Sequence, residues 1–236
     1  MKERKIMPFD KNFVPALRFA VMSDIHIDDE DCIEEQRFAK ALDDLKNLCS
    51  SDERYSGFDA LVIVGDFASR GSEIQMRKVK KILDAGLPAD VRLIMTMASH
   101  EYMTDGEENA LRRFDEIFGL TPDTHAVING FDFIAVTTTR GCHFDEKKRG
   151  FVSAELEKAA ERDGKKPIFF FQHPHITDTV YGSINWGEDE ITDILINYPQ
   201  IVDFSGHSHA PINDPRSVHQ LSLIHISEPT RLRRIS

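Results

Sequence analysis

Short continuous apolar runs alternate along this chain with longer segments whose apolar residues recur every three or four positions, a pattern that predicts an α/β protein. The runs at 17–22, 60–64, 91–97, 131–136, 168–171 and 201–204 read as strands buried on both faces, because they lack the polar alternation of a half-solvated strand. Between them, Phe38, Ala41, Leu42, Leu45, Leu48 and Cys49 mark one helical stripe and Ile74, Val79, Ile82 and Leu83 a second. Leu111, Phe114, Ile117 and Phe118 mark a third, which Gly119 is placed to end. Asn129-Gly130 between two β-like runs is a two-residue hairpin signal, so part of the sheet system is expected to be antiparallel. No repeat, low-complexity tract or linker interrupts the pattern, and residues 1–220 read as one domain.

Composition narrows the class without changing that picture. The 236 residues are long enough for one well-buried domain and short for two. With 41% hydrophobic and 29% charged residues and a mean hydropathy of −0.35, the chain has the profile of an ordinary globular protein. No window approaches the roughly 18 to 20 apolar residues that a membrane-spanning helix needs. The balance of 29 basic against 40 acidic residues, −11 overall, lacks the basic excess of a general nucleic-acid binder, so long nucleic acid is not an expected partner. Cys32, Cys49 and Cys142 are an odd number without metal-type pairing, which fits a reducing compartment. The charged start Met1-Lys2-Glu3-Arg4-Lys5 is not followed by an apolar signal core, and a cytoplasmic location is expected.

The final stretch differs from the rest. Residues 221–231, LSLIHISEPTR, resemble the translation of a transposon-end sequencing adapter, so 221–236 is expected to be a non-native tail and the natural sequence to depart near Gln220. Without that tail's three arginines and one glutamate, the count is 26 basic against 39 acidic residues, −13.

The candidate chemistry lies just after the strands, where open α/β sheets place their ligand sites. Asp24-Ile25-His26 follows the first run, Gly65-Asp66 the second, Ser99-His100-Glu101 the third, His173 the fifth and Gly206-His207-Ser208-His209 the sixth. Taken singly, an Asp-x-His or a Gly-Asp at a strand end is an ordinary turn sequence with a surface histidine. Gly-His-x-His is more specific, since two imidazoles two residues apart share a centre only in particular loop geometries. Their ordered recurrence after successive strands points to one rim of the sheet and, by ligand inventory, to a metal site.

With these residues in place, the sequence resembles the calcineurin-like metallophosphoesterase superfamily, whose pattern D-x-H, G-D, G-N-H-E, H, G-H-x-H it follows from Asp24 to His209. The resemblance implies a four-layer α/β/β/α sandwich with mixed sheets, in which two divalent metals sit at the strand ends. It also implies hydrolysis of phosphomonoesters or phosphodiesters by a metal-bound hydroxide. Carried over, Asp24, His26, Asp66 and His209 would hold the first metal. Asp66 would bridge to the second, with His173 and His207 as further ligands. His100 would protonate the leaving oxygen or stabilise the charge on the phosphate. Glu101 would orient His100, unless it is a structural ion pair or cap. Carboxylates and neutral imidazoles suit Mn, Fe, Zn or Ni, with manganese favoured and no thiolate to force zinc. Two such ions about 3.5 to 4 Å apart can clamp a phosphate and acidify a water.

One position departs from the pattern. Ala98-Ser99 stands where the family has Gly-Asn, and the family's asparagine supplies an amide oxygen to the second metal. Ser99 takes that ligand position with a shorter side chain and a poorer donor, so a weaker second metal site is expected.

Gly65-Asp66-Phe67-Ala68-Ser69-Arg70-Gly71 is similar to the phosphoprotein phosphatase run G-D-x-x-x-R-G, which makes Arg70 a substrate-contact candidate against the reading of a solvated loop charge. Ser69 stands where purple acid phosphatases need a tyrosine, and that branch is excluded. In Gln172-His173-Pro174-His175 either histidine is a possible ligand, with His173 preferred because it follows the strand directly. The loop with Tyr181, Asn185 and Trp186 reads as ordinary packing, with a cleft wall the alternative. His125 and His143 lack partner spacing and are expected at the surface.

The expected substrate is therefore a small phosphoester, a nucleotide or a phosphoprotein, since acidic charge leans away from long nucleic acid. The competing reading, supported by Ser99, is a catalytically weak relative that keeps the fold and binds metal or a partner. Family members also continue past G-H-x-H with further strands, so the domain is expected to be incomplete at its C-terminus, with C-terminal strands missing and an exposed sheet edge.

Overall fold

Three parallel strands form the first sheet, in the order β1(Phe19–Met22), β2(Ala60–Val64), β3(Arg92–Thr96), with Phe19 opposite Ala60 and Ala60 opposite Arg92. The computed structural model describes residues 13–210 and 214–219, apart from the side chain of Trp186; the tail expected at 221–236 lies outside them. The second sheet runs β4(Thr124–Ile128), β5(Phe131–Ala135), β6(Ile168–Phe171), β9(Ile201–Phe204). Its first pair is antiparallel and the others parallel, so this sheet is mixed. Asn129 and Gly130 turn the β4–β5 hairpin with φ of 50° and 78°, the left-handed pair such a turn requires. A short parallel pair, β7(His175–Ile176) and β8(Gly187–Glu188), stands apart.

Side-chain alternation along the strands builds the layers. Leu61 and Ile63 of β2 face the helices α1(Ile33–Ser50), α2(Glu73–Gly86) and α3(Glu107–Phe118), where they join Phe38, Leu42, Met76, Val79 and Phe114. Ala60, Val62 and Val64 face the other way, onto Phe133, Ala135 and Phe171 of the second sheet. The opposite face of that sheet carries Ile134, Ile168 and Phe170 against Val152, Leu156 and Ala159 of α4(Glu146–Arg162) and Leu195 of the short α6(Thr192–Leu195), which follows the short α5(Ser183–Trp186). The result is an α/β/β/α sandwich. A knot of phenylalanines, with Phe19 5.0 Å from Phe133 and 4.8 Å from Phe169, fills the space between the sheets.

Helix ends follow their sequences. Ser72 caps α2 in a reciprocal box with Gln75, and Gly119 ends α3 in the left-handed conformation at φ 62°. The stripes hold with two corrections: Leu48 and Ile74 are exposed, and the buried faces of their helices are made by Phe38, Leu42 and Cys49 and by Met76, Val79 and Leu83. The expectation of strands buried on both faces also fails for β1 and β9. Each is an end strand of its sheet among the described residues and is mostly half-buried, and Val202 of β9 is 42% exposed. His125 departs from its expected surface position too. The period of β4 turns it toward α4, where its two ring nitrogens lie 2.7 Å from Glu155 and 2.7 Å from Asp132. His143 is exposed, as expected, beside Glu190.

Glu188 introduces a pH dependence. Its Oε2 accepts the amide of Ile191 at 3.0 Å, while Oε1 is buried without a partner. Burial pushes the carboxyl up to about 7 from its ordinary 4.5. The folded state thus binds the proton more tightly than the unfolded one. The stability tied to this group is complete below about pH 4.5 and is lost as pH rises through about 7, a change on the order of 3 kcal/mol. Melting curves between pH 5 and 8 should show Glu188→Gln, which keeps the acceptor for Ile191, losing less stability than wild type toward pH 8; parallel curves would count against this.

Candidate metal centre

The C-terminal ends of β1, β2, β3, β6 and β9 lie on one rim, and backbone hydrogen bonds carry the parallel ladders into the loops beyond them. Asp24 donates its amide to Gly65 O at 3.3 Å, His26 to Asp66 O at 3.1 Å and Ile27 to Phe67 O at 3.0 Å. Gly206 donates to His173 O at 3.0 Å, joining the two corresponding loops of the second sheet. Contact between the sheets is close enough to demand two glycines. A Cβ at Gly65, already at φ +71°, would sit 2.9 Å from His173 Nδ1. One at Gly206 would sit 1.8 Å from Ser23 Oγ and 2.6 Å from Asp24 Oδ2.

Backbone strain collects at the same rim. Among the described residues seven non-glycine positions have positive φ, and five of them are Asp24, His26, Asp66, His207 and His209. Left-handed backbone is costly for such residues and persists only where surrounding hydrogen bonds over-determine it. Here those bonds include the laddered loops and the amide of His207, which donates to Asp24 Oδ2 at 2.9 Å.

Three overlapping groups of side chains are brought within reach of a common ion: Asp24, His26 and His209; His26, Asp66 and His100; Asp66, His173 and His207. In the first, His209 Nε2 lies 3.3 Å from Asp24 Oδ1 and 3.1 Å from His26 Nε2. In the third, His173 Nε2 is 3.1 Å from Asp66 Oδ2 and 3.2 Å from His207 Nδ1. Asp66 belongs to two of the three groups and is 2% exposed in its side chain, whereas His209 is 58% exposed, so the cluster runs from a buried floor to an open mouth.

The outer nitrogens are committed elsewhere. His173 Nδ1 lies 2.8 Å from Val64 O, His100 Nδ1 2.8 Å from Ser69 O, and His207 Nε2 3.4 Å from Cys142 Sγ. A ring that donates outward presents its other nitrogen inward, which is how metal-binding histidines are oriented. Carboxylate oxygens and imidazole nitrogens converging on shared points, without a lysine or arginine among them, fit a divalent cation by donor chemistry.

The protonation of the cluster follows from its crowding. Burial works against charge on His173, but the hydrogen bond and charge of Asp66, with help from Asp24, hold its pKa up at about 9. Asp66 is held below the usual carboxylate range because those same contacts outweigh its burial. Burial lowers His26 and His207, and neighbouring imidazoles add to the effect. A cation entering between His173 and Asp66 would therefore displace a proton.

Glu101 does not touch the ring of His100. Wholly buried, its carboxylate accepts the amides of Asp66 at 3.0 Å, Ala68 at 3.0 Å and Ala98 at 2.9 Å, which ties the loop after β2 to the loop after β3. Burial, reinforced by the charge of Asp66, pushes it up to about 8 against the pull of the Ala68 and Ala98 amides. Ser99 is half-buried at the start of the 3-10 turn His100–Tyr102, and its side chain makes no capping hydrogen bond.

His175 stands outside the three groups; its Nδ1 faces Ser205 Oγ at 2.7 Å, and burial lowers it to about 4. Arg70 is exposed, one residue beyond the carbonyl that His100 contacts. Its backbone is fixed by Gln75 and Thr104, while its guanidinium has no hydrogen bond or ion pair among the described residues. Tyr181 stacks under the guanidinium of Arg216 at 4.3 Å. Cys142 is the residue the sequence reading missed. It follows β5, a parallel neighbour of β6 whose end points to the same rim, but the loop between them hides it.

A family model for the calcineurin-like phosphoesterases matches residues 17–211, which takes in every residue of the cluster. The chain belongs to the calcineurin-like phosphoesterase family, and the hydrolase class that its α/β/β/α fold and His/Asp cluster suggest is thereby set. Among solved structures, it is similar to the phosphopantetheinyl hydrolase PptH from Mycobacterium tuberculosis, at 15% identity and a TM-score of 0.48 over 84% of this chain and 85% of that one. No curated protein matches it. No helix among the described residues is long and apolar enough to cross a membrane.

Proposed function

We propose that this protein hydrolyses small phosphomonoesters or phosphodiesters at a dinuclear divalent metal centre, with manganese the favoured ion. The observation that carries the reading is the sharing of Asp66 between two of the three ligand groups, the arrangement a bridging carboxylate needs. Asp24, His26, Asp66 and His209 would hold one ion, and Asp66, His173 and His207 the other, with Ser99 beside the second. When bound, such ions supply positive charge to the phosphate and acidity to a water between them.

The chain's own residues do the rest. His100, half-buried with its Nδ1 committed to Ser69, keeps Nε2 toward the cluster, where it can hand a proton to a leaving oxygen. Arg70, exposed one residue beyond the carbonyl that His100 contacts, would offer its guanidinium to a phosphate oxygen. His209 is exposed and His100 partly so, which leaves the cluster reachable from solvent on that side for a small phosphoester, a nucleotide or a phosphoprotein segment. Turnover of bis-p-nitrophenyl phosphate and p-nitrophenyl phosphate that appears with added Mn²⁺ and disappears with chelator supports the proposal; metal-loaded protein without turnover would point to a binding module.

Ser99 governs the second ion in this reading. Its hydroxyl is a weaker, shorter donor than a carboxamide oxygen, so Ser99→Asn should tighten binding of the second Mn²⁺ about tenfold. Calorimetric titration of the metal-free protein checks this, and unchanged affinity would sink the idea.

A further inference from the structure

We propose that Cys142 is a positioning residue for His207, its sulfur accepting the outward ring N–H of His207 so that the opposite nitrogen is held toward Asp66 and His173. The inference rests on the dinuclear reading above and extends it to a residue outside the ligand groups.

The geometry begins at the ring. His207 Nδ1 lies 3.2 Å from His173 Nε2 and belongs with it and Asp66 to one ligand group, while its Nε2 lies 3.4 Å from Cys142 Sγ on the far side. A neutral imidazole has one N–H and one lone pair. If the lone pair at Nδ1 is to face an ion, the proton must sit at Nε2, and sulfur is the acceptor found there. The same division of labour holds for the neighbouring rings, with Val64 O serving His173 at 2.8 Å and Ser69 O serving His100 at 2.8 Å. His207 differs only in taking a thiol where the others take a carbonyl. Sulfur is the weaker acceptor, so this ring depends more on where its partner is held.

Cys142 is well held. The loop that bears it is fixed at its start by the amide of Met97 donating to Thr137 Oγ1 at 3.0 Å and by the hydroxyl of Tyr102 donating to Thr138 O at 2.7 Å. The turn itself closes through Thr139 N to His143 O at 2.9 Å and His143 N to Arg140 O at 3.0 Å. On its far side Phe144 N donates to Glu190 Oε2 at 2.6 Å. Tyr102 also ends the short turn that carries His100, so one loop spans both sides of the cluster. Cys142 itself joins none of the three candidate ligand groups among the described residues.

The test compares wild type with Cys142→Ser, which keeps an acceptor, and Cys142→Ala, which removes it. Metal-free proteins are titrated with Mn²⁺ alone by calorimetry, and their thermal midpoints are measured before metal is added. Expected is a second-ion dissociation constant about tenfold weaker in Cys142→Ala and within about threefold of wild type in Cys142→Ser, with metal-free midpoints alike. Equal affinities in all three proteins, or equal losses in both variants together with lowered metal-free midpoints, overturn the proposal. So does a sulfur-to-cobalt charge-transfer band on Co²⁺ loading of wild type, which would make Cys142 a ligand. Wild type taking up fewer than two ions removes the dinuclear reading, and this proposal with it; two ions bound equally well by Cys142→Ala removes this proposal alone.

Discussion

Asp66→Asn is expected to lower kcat on bis-p-nitrophenyl phosphate by about a thousandfold or more, which corresponds to about 4 kcal/mol of transition-state stabilisation. The substitution keeps size and shape at a side chain only 2% exposed, and the asparagine carbonyl can still accept the amide of His100, now bonded to Oδ1 at 3.2 Å. What disappears is the negative charge, along with the second oxygen, which lies 3.1 Å from His173 Nε2 and 3.9 Å from His100 Nε2. In the metal-free protein the loss is mild, because a neutral His173 can accept from the new carboxamide N–H. With metal, in the dinuclear centre proposed above, the loss would be severe, because the buried anion that the two cations would share is gone. Steady-state kinetics at saturating Mn²⁺, with thermal melting of the metal-free variant alongside, separates the two effects. Activity within tenfold of wild type at unchanged metal occupancy would remove Asp66 from the centre of the reaction.

Much of the candidate site is legible in the sequence. Apolar runs located the strands, and the position of each Asp or His directly after a run was enough to gather them on one rim, since parallel strands end together. The preference for His173 over His175 followed from adjacency to β6, and the structure puts His173, not His175, into a ligand group. Contacts that depend on distant segments were less legible. Helix α4 carries Val152, Leu156 and Ala159 on its buried face among many charged neighbours, so its stripe is thin. His125 looks solitary in sequence because its partners Asp132 and Glu155 come from the next strand and from that same helix. The half-burial of β1 and β9 could not be read from their largely apolar runs, because burial depends on a strand's place in the sheet, and such a run is the same at an edge as at the centre. Cys142 reaches the cluster through a loop whose path is set by Thr137, Thr138 and Tyr102.

Glu101 is the other residue whose meaning changed, and its removal is expected to have the largest effect on stability. In sequence it sits beside His100 and invites a role in orienting that ring. In the structure its carboxylate accepts three backbone amides, from Asp66, Ala68 and Ala98, at 2.9 to 3.0 Å, with no exposure to solvent. Two loops that would otherwise present unpaired N–H groups to each other are joined by it, and one of those amides belongs to Asp66 itself. Glu101→Ala leaves three buried donors without acceptors and opens a cavity, each donor costing about 1 to 3 kcal/mol. A loss of at least about 4 kcal/mol follows, which for a chain of this size means a fall in Tm of about 10 °C or more. Glu101→Gln keeps one acceptor oxygen but turns an NH₂ toward an amide N–H, so it should recover only part of the loss. Both variants should also weaken metal binding, since the Asp66 backbone loses or weakens the bond from its amide to Glu101 and keeps only the one from His26 to its carbonyl. A Glu101→Ala protein that melts within about 3 °C of wild type would show that water replaces the carboxylate at no cost, and that contacts such as Thr104 N to Arg70 O and His100 N to Asp66 Oδ1 suffice to hold the β2 and β3 loops together.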